Sequence, residues 1–230
     1  MNMKQIRLYQ IITAISCLFL ISCGIEQNLK KADKHLSLGE YFDAATQYKK
    51  VYTKTPTKER AARGKVALKM ARCYDKINST PKALAAYSNA IRYKQADLND
   101  RLAYARLLLK NGSYRQAAKE FEFLLDSMPN NVLVKNGLES ARKAPVWKKE
   151  GSRYKVKRMD VFNSRRDDYS PMFLSDDNSQ LYFTSIRNEA QGSDLNGVTG
   201  TKSADIFFSE KDDKGKWSKP EAIGTGLNTD

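Results

Sequence analysis

The stretches GEYFDAATQYKKV at 39–51 and GSYRQAAKEFEFL at 112–124 decide the fold of this chain, because they align residue for residue. Each has a glycine, a tyrosine two positions later, then an alanine and, four residues on, an aromatic; a proline follows five residues beyond its end. Glycine tolerates the left-handed backbone at which a helix stops, and alanine lets two helices cross closely. The two stretches therefore predict a unit of paired helices that recurs.

A weaker third copy lies between them, at Asn78, Thr80, Ala83, Tyr87 and Ala90. The spacing of all three copies resembles the tetratricopeptide repeat. The resemblance implies an α-solenoid over residues 23–144, with about three repeats and a capping helix from residue 131 to 144. Repeat arrays need such a terminal cap with one polar face.

In the resembled family, the first helix of each repeat lines a concave groove that binds peptides. The matching positions include Asp33 and Asn99, together with five basic residues that the resemblance makes the predicted partner-binding groove: Lys65, Arg72, Lys76, Arg106 and Lys110. Because these five are cationic, we expect an acidic or carboxylate-bearing segment of a partner protein as the ligand.

From residue 155 onward, the pattern alternates between apolar and polar residues, which is typical of strands. The preceding residues 145–154 are predicted to form a linker. Five short segments are expected to be β structure, at 156–162, 171–174, 180–185, 204–209 and 216–223.

Two runs in this part, at 169–178 and 181–185, resemble the WD40-like repeat of periplasmic β-propellers. Later sequence segments, at 205–207, 217–220 and 227–229, match the same family. The resemblance implies that 155–230 is the first blade of a propeller, with Phe183, Phe207 and Trp217 in its core. Since propellers have about four to eight blades, we expect the sequence to be part of a longer protein. The predicted fold class is thus α+β and multidomain.

The N-terminus predicts export. Lys4 and Arg7 precede a short apolar run, which is typical of a secretory signal peptide over residues 1–22. The run ends in Leu20-Ile21-Ser22-Cys23, which resembles the lipobox of bacterial lipoproteins. That resemblance makes Cys23 the predicted lipidation site and implies membrane anchoring through acyl chains.

Charge is distributed unevenly. Residues 24–150 contain 26 Lys and Arg against 13 Asp and Glu, whereas 151–230 contain 12 against 13. A basic surface often binds nucleic acid, but an exported lipoprotein does not normally meet it. Anionic lipid head groups or an acidic protein are the expected partners.

The order of lipobox, helical repeats and propeller resembles the large OmpA-family outer-membrane lipoproteins of bacteria with type IX secretion and gliding machinery. The resemblance implies a non-enzymatic envelope scaffold on the periplasmic face of the outer membrane. It also implies peptidoglycan binding, but only through a further domain that is missing from this sequence. The alternatives are the N-terminal part of a propeller-gated periplasmic hydrolase and a nutrient-uptake lipoprotein.

No residue pattern predicts catalysis, a metal site or a cofactor. The single histidine, His35, has no evident acidic or cysteine partner at ligand spacing, and Cys73 lies in an apolar helical run. The acidic pairs at 167–168 and 176–177 are expected to be solvated turn residues. The chain is therefore predicted not to be an enzyme.

Overall fold

The computed structural model describes residues 24–224 and 226–228 of the chain. Contacts divide the chain between Gly151 and Ser152 into two compact units, which we call the helical unit and the β unit. The predicted signal peptide and the predicted lipidation site at Cys23 lie outside the described residues. Within the described part, no helix is both long and apolar enough to cross a membrane.

The helical unit is an array of helices that pack in chain order. Each helix from α2 to α6 contacts the next one along the chain, and α5 also contacts α7. The predicted helical-repeat fold is thereby confirmed. The helices of the described part are α1 (24–37), α2 (Tyr41–Lys54), α3 (Arg60–Lys76), α4 (Thr80–Arg92), α5 (Leu98–Lys110), α6 (Tyr114–Ser127) and α7 (Val132–Glu150).

The turns inside the repeats adopt the backbone that the sequence pattern requires. Gly39 and Gly112 have φ angles of 75° and 77°. In the weaker copy, Asn78 takes the equivalent position with a φ of 61°. Asparagine is one of the few residues other than glycine that enter the left-handed region readily. The second repeat therefore keeps the turn without the glycine.

Alanines and aromatic rings build the core of this unit. Ala44, Ala83 and Ala117 are fully buried, as are their partners on the preceding helices. The aromatic residues four positions later are buried as well and fill the space between helices. The signature residues of the repeats thus pack where their spacing predicts: Ala32, Ala44, Tyr48, Ala71, Ala83, Tyr87, Ala105, Ala117 and Phe121.

The last helix is longer than the sequence suggests. Asn131 caps α7 by accepting hydrogen bonds from the backbone N–H groups of Leu133 and Val134. The helix then continues through Pro145 to Glu150 and is followed by the cap residue Gly151, whose φ is 78°. Residues 145–150, which the sequence assigns to a linker, are therefore helical.

The β unit contains a four-stranded antiparallel sheet in which neighbouring strands follow one another in the chain. The predicted sheet is confirmed, whereas its role as a propeller blade stays a prediction. The segment at 156–162 is not a strand. The predicted last strand is reduced to two residues plus an isolated bridge from Trp217 to Lys211. The strands are β1 (Asp168–Phe173), β2 (Gln180–Ser185), β3 (Asp205–Glu210) and β4 (Glu221–Ala222).

One face of this sheet carries an aromatic core. Phe183 and Phe207 are buried on β2 and β3, and they face each other in register. Phe162 packs edge-on against both Phe183 and Trp217, at centroid distances of 6.0 and 5.1 Å. The three residues predicted for the core of the blade, Phe183, Phe207 and Trp217, therefore belong to one hydrophobic cluster.

Candidate functional site

Two of the five predicted groove residues line one cleft of the helical unit. Arg106 and Lys110 lie one turn apart on α5, so their side chains project from the same face. With Asp75 and Asn78 of the neighbouring repeat, they surround a cleft of about 380 Å³. We call this the basic cleft. Its full lining is Asp75, Asn78, Ala103, Arg106, Leu107 and Lys110.

The carboxylate of Asp75 lines the cleft together with these cations. Burial raises the pKa of Asp75, and the nearby charges of Arg106, Lys110 and Lys76 partly oppose that rise. Lys76 therefore acts on the same carboxylate, that of Asp75, as Arg106 and Lys110 do. Because three cations act on one half-buried carboxylate, the local charge is positive.

The lysine at the end of α5 is held in place by a neighbour. Its ammonium donates a hydrogen bond of 2.5 Å to the side-chain oxygen of Asn78. Asn78 thus has two functions, since its left-handed backbone also makes the turn between α3 and α4. This contact positions Lys110 at the rim of the cleft.

Arg72 is used differently from the other predicted groove residues. Its guanidinium donates two hydrogen bonds, of 2.9 and 3.0 Å, to the two carboxylate oxygens of Asp100. Asp100 is only 5% exposed. The hydrogen bond to Asp100 is the main cause that raises the pKa of Arg72. The charge of Arg72 is therefore compensated within the chain.

The remaining predicted residue, Lys65, is exposed on α3 and does not line the basic cleft. Asp33, which the resemblance also places in the groove, joins three helices instead. Its carboxylate accepts hydrogen bonds from the hydroxyl of Tyr48 and the ammonium of Lys69, at 2.5 and 2.6 Å. Burial opposes ionisation of Asp33, but these two bonds and the charge of Lys69 together lower its pKa.

Sequence reasoning missed the acidic members of this region, Asp75 and Asp100. A helical face can be deduced from spacing, but a pairing such as that of Arg72 with Asp100 crosses 28 positions of sequence. One local signal was available, since Asp97 and Asp100 have the spacing of a capping box. The structure forms that box at the start of α5, and it orients Asp100 toward Arg72.

Cys73 agrees with its prediction as a buried apolar residue. Burial raises the pKa of its thiol to about 11. The reactive thiolate is therefore scarce at neutral pH.

His35 does not match its prediction, because two acidic side chains lie beside it. The ligand atoms of His35, Glu40 and Asp43 all lie within 4.8 Å of one another. The search for ligand spacing along the sequence missed these neighbours, because a tight turn brings them beside His35.

One of the predicted solvated turn acids is instead part of a buried network in the β unit. Asp168 forms an ion pair of 2.8 Å with Arg187, and both side chains are only 9% exposed. It also accepts a hydrogen bond from Ser185. Asp177 does lie in a turn, where hydrogen bonds from Ser175 and Ser179 lower its pKa to about 2.

One cleft of the β unit is lined mainly by apolar side chains. It has a volume of about 490 Å³ and lies on the face of the sheet that carries Phe173, Phe183 and Trp217. The chain's one histidine lies in the helical unit, so a Ser-His-Asp arrangement cannot form from the β unit's own residues. The prediction that the chain is not an enzyme remains a prediction.

Comparisons with known proteins yield structural likenesses only. The chain resembles the C-terminal TPR-containing domain of a Plasmodium falciparum FK506-binding protein at 14% identity and a TM-score of 0.47, over 57% of this chain and 94% of that one. It resembles the TPR domain of P58(IPK) at 18% identity and a TM-score of 0.43, over 60% of this chain and 37% of that one. No protein-family model matches, and no curated protein matches. The helical-repeat fold itself rests on the packing of the helices.

Proposed function

We propose that the helical unit is a non-enzymatic docking module whose basic cleft binds an acidic segment of a partner protein. The observation that carries the proposal is the pair Arg106 and Lys110, which line one cleft with a surplus of positive charge. Helical-repeat arrays commonly present extended concave surfaces of this kind to peptides.

The charges around the cleft favour an acidic ligand. Lys76, Arg106 and Lys110 act on a single carboxylate, that of Asp75. The carboxylate of an incoming Asp or Glu side chain would neutralise the positive charge that Asp75 alone leaves unbalanced. Exposed charge pairs contribute about 0.2–1 kcal/mol each, so the cleft should give moderate affinity, fast association and clear dependence on salt.

The structure changes which residues a binding test should target. Reversal of Arg72 would place a second carboxylate against Asp100, so it would disturb folding and binding together. Arg106 and Lys110 have no such buried partner among the described residues. The double variant Arg106→Glu/Lys110→Glu therefore tests the cleft itself.

A matched control exists on α6. Arg115 and Lys119 have the same spacing and are exposed, and they do not line the cleft. The variant Arg115→Glu/Lys119→Glu makes the same change in net charge. Fluorescence anisotropy with labelled Asp- and Glu-rich peptides, between about 50 and 300 mM salt, would measure binding. We expect the cleft variant to lose at least about tenfold in affinity, since two pairs become repulsive, and the control to bind nearly as the wild type does. Equal affinity and equal salt dependence of wild type and cleft variant would refute the proposal.

We further propose that this module works in the bacterial cell envelope, as part of a lipid-anchored OmpA-type assembly linked to type IX secretion. The lipobox-like sequence, and the order in which the helical repeats and the propeller-like segments follow it, support this location. The proposed location is the periplasmic face of the outer membrane. Because Cys23 lies outside the described residues, the support is from sequence alone.

The anchor can be tested by replacing Cys23. The variant Cys23→Ala should lose incorporation of labelled fatty acid and leave the membrane fraction, because several acyl chains anchor a protein far more firmly than one. Cys73→Ala is the matched control, since its thiol is buried. A Cys23→Ala protein that still carries label would contradict the proposed anchor. Protease added to intact cells should spare the protein if it faces the periplasm, and rapid digestion would place it on the surface.

A further inference from the structure

The turn between α1 and α2 brings together three side chains that bind metals. His35 lies in the last turn of α1, Glu40 directly precedes α2, and Asp43 lies in the first turn of α2. We propose that these three residues form a binding site for a divalent transition metal ion, with zinc as the best match. This site is independent of the proposed basic cleft.

The backbone holds the three residues in one arrangement. The amide of Glu40 donates a hydrogen bond of 2.9 Å to the carbonyl of His35, and the amide of Gly39 donates one of 3.1 Å to Leu36. Gly39 has a φ of 75° in this turn, which a residue with a side chain would adopt only at a cost. The ligands are therefore presented by a closed turn, which suits a site that must keep its geometry.

The side chains of these residues contact each other instead of the backbone of α2. Glu40 occupies the N-cap position of α2 but does not cap the helix with its side chain. Its carboxylate instead meets Nδ1 of His35 at 2.5 Å. In the part of the chain that the structure describes, Asp43 has no hydrogen-bond or ion-pair partner, although its carboxylate is close to both.

This arrangement is electrostatically incomplete. Two carboxylates held within 4.8 Å of each other repel, and His35 can contribute at most one positive charge. The side chains of His35 and Glu40 are only partly exposed, so water screens the repulsion incompletely. A divalent cation would balance both carboxylates. On binding, it would replace the hydrogen bond between Nδ1 and Glu40, and the neutral imidazole would carry its one N–H proton on Nε2.

The donor set identifies the class of ion. One imidazole nitrogen and two carboxylate oxygens suit zinc, whereas magnesium and calcium prefer oxygen ligands in greater number. In a tetrahedral zinc site, neighbouring ligand atoms lie about 3.4 Å apart. The present separations, from 2.5 Å between His35 and Glu40 up to 4.8 Å, lie on either side of that spacing. The fourth position would remain for water or for a group of a partner.

The test is titration of the untagged full chain with zinc chloride against a colorimetric chelator, with cobalt as a spectroscopic substitute. We expect one zinc ion per chain at this site and cobalt bands without thiolate charge transfer, which separates it from cysteine ligands. The variant Asp43→Asn should weaken zinc binding at least tenfold, and His35→Gln should weaken it further. Asp126→Asn, an exposed acid on α6, is the control and should bind as the wild type does.

Asp43→Asn is the decisive variant. It breaks no contact among the described residues, so the protein should fold normally, as helical circular dichroism would verify. If Asp43→Asn and His35→Gln bind zinc with the affinity and stoichiometry of the wild type, or if the wild type shows no such site at micromolar zinc, the three residues are an ordinary hydrogen-bonded cluster and the proposal is wrong.

Discussion

Replacement of Asp100 by asparagine should weaken the fold and strengthen acidic-peptide binding at the same time. In the wild type, Asp100 accepts two hydrogen bonds from Arg72 and one of 3.1 Å from the backbone amide of Asp97. Asparagine has nearly the same shape but no charge, and its nitrogen cannot accept a hydrogen bond. The change therefore removes the ion pair and leaves Arg72 without a full partner.

The size of the destabilisation follows from the environment of the pair. A hydrogen bond to a charged group contributes about 1.5–3 kcal/mol. Because the side chain of Arg72 is 53% exposed, water replaces part of the lost interaction. We expect a loss of about 1–2 kcal/mol. For a domain of this size, each kcal/mol corresponds to roughly 3–6 °C in the melting temperature.

Unfolding followed by circular dichroism at the helical wavelength would report mainly on the helical unit. A double-mutant cycle with Arg72→Gln separates the ion pair from the capping box, because only the ion pair produces coupling between the two positions. Asp126→Asn is again a suitable control for the loss of one negative charge. The same proteins should be tested for binding of acidic peptides, which the Asp100 variant should bind more tightly.

Two results would refute this reasoning. A melting temperature of Asp100→Asn within error of the wild type would mean that the buried carboxylate contributes nothing. A coupling energy near zero between the two positions would mean that the stability comes from the capping box alone. In either case Arg72 would return to the set of cations that are free for a ligand.

Three further predictions concern the two units. Ala117→Leu should destabilise the helical unit by about 1–3 kcal/mol through overpacking, whereas Gln116→Leu on the exposed side should not; equal melting temperatures would contradict the repeat register. Burial opposes ionisation of Asp168, but hydrogen bonds from Ser185, Arg187 and Ser164 together lower its pKa. The stabilisation should therefore be complete above the ordinary aspartate pKa and lost as pH falls through the lowered value. Acid titration of the full chain and of its Asp168→Asn variant, which should flatten that dependence, checks the sign. Expressed separately, the helical unit should show strong amide-exchange protection and the β unit should not; a monomeric, well-protected β unit would show that it is a complete domain.

The parts of the fold that were predictable depend on local requirements. A left-handed turn needs glycine or asparagine, and a close helix crossing needs alanine, so Gly39, Asn78 and Ala117 determine their surroundings almost alone. Four of the five expected β segments coincide at least in part with strands. The reason is similar, since the alternation of apolar and polar residues and the flanking turn residues are both local features of the sequence.

The segment at 156–162 shows where such local reasoning fails. It has the alternation of a strand, but a strand also needs a neighbour to pair with, and this segment pairs with neither edge of the described sheet. Val156 is 94% exposed, whereas Phe162 packs against Trp217. Phe162 joins the core through contacts with Phe183 and Trp217, which the local sequence does not reveal.

The cations of the helical unit fall into two groups: those that pair with an acidic residue of another helix, and those that do not. Several acidic residues pair with a cation on another helix: Lys69 with Asp33, Arg72 with Asp100, Arg101 with Glu120 and Arg142 with Glu122. These ion pairs join α1 to α3, α3 to α5, α5 to α6 and α6 to α7. With 26 basic residues against 13 acidic ones between residues 24 and 150, such pairing leaves a basic surplus.

That surplus is the part of the charge that an external partner can use. Reversal of a paired cation such as Arg72 removes a contact between helices, so its main effect should be on stability. Reversal of Arg106, which is exposed beside the half-buried Asp75, should act mainly on binding. A cation found by repeat spacing is therefore a good candidate for ligand binding only where no acidic residue of a neighbouring helix already neutralises it, and only the three-dimensional structure supplies that information.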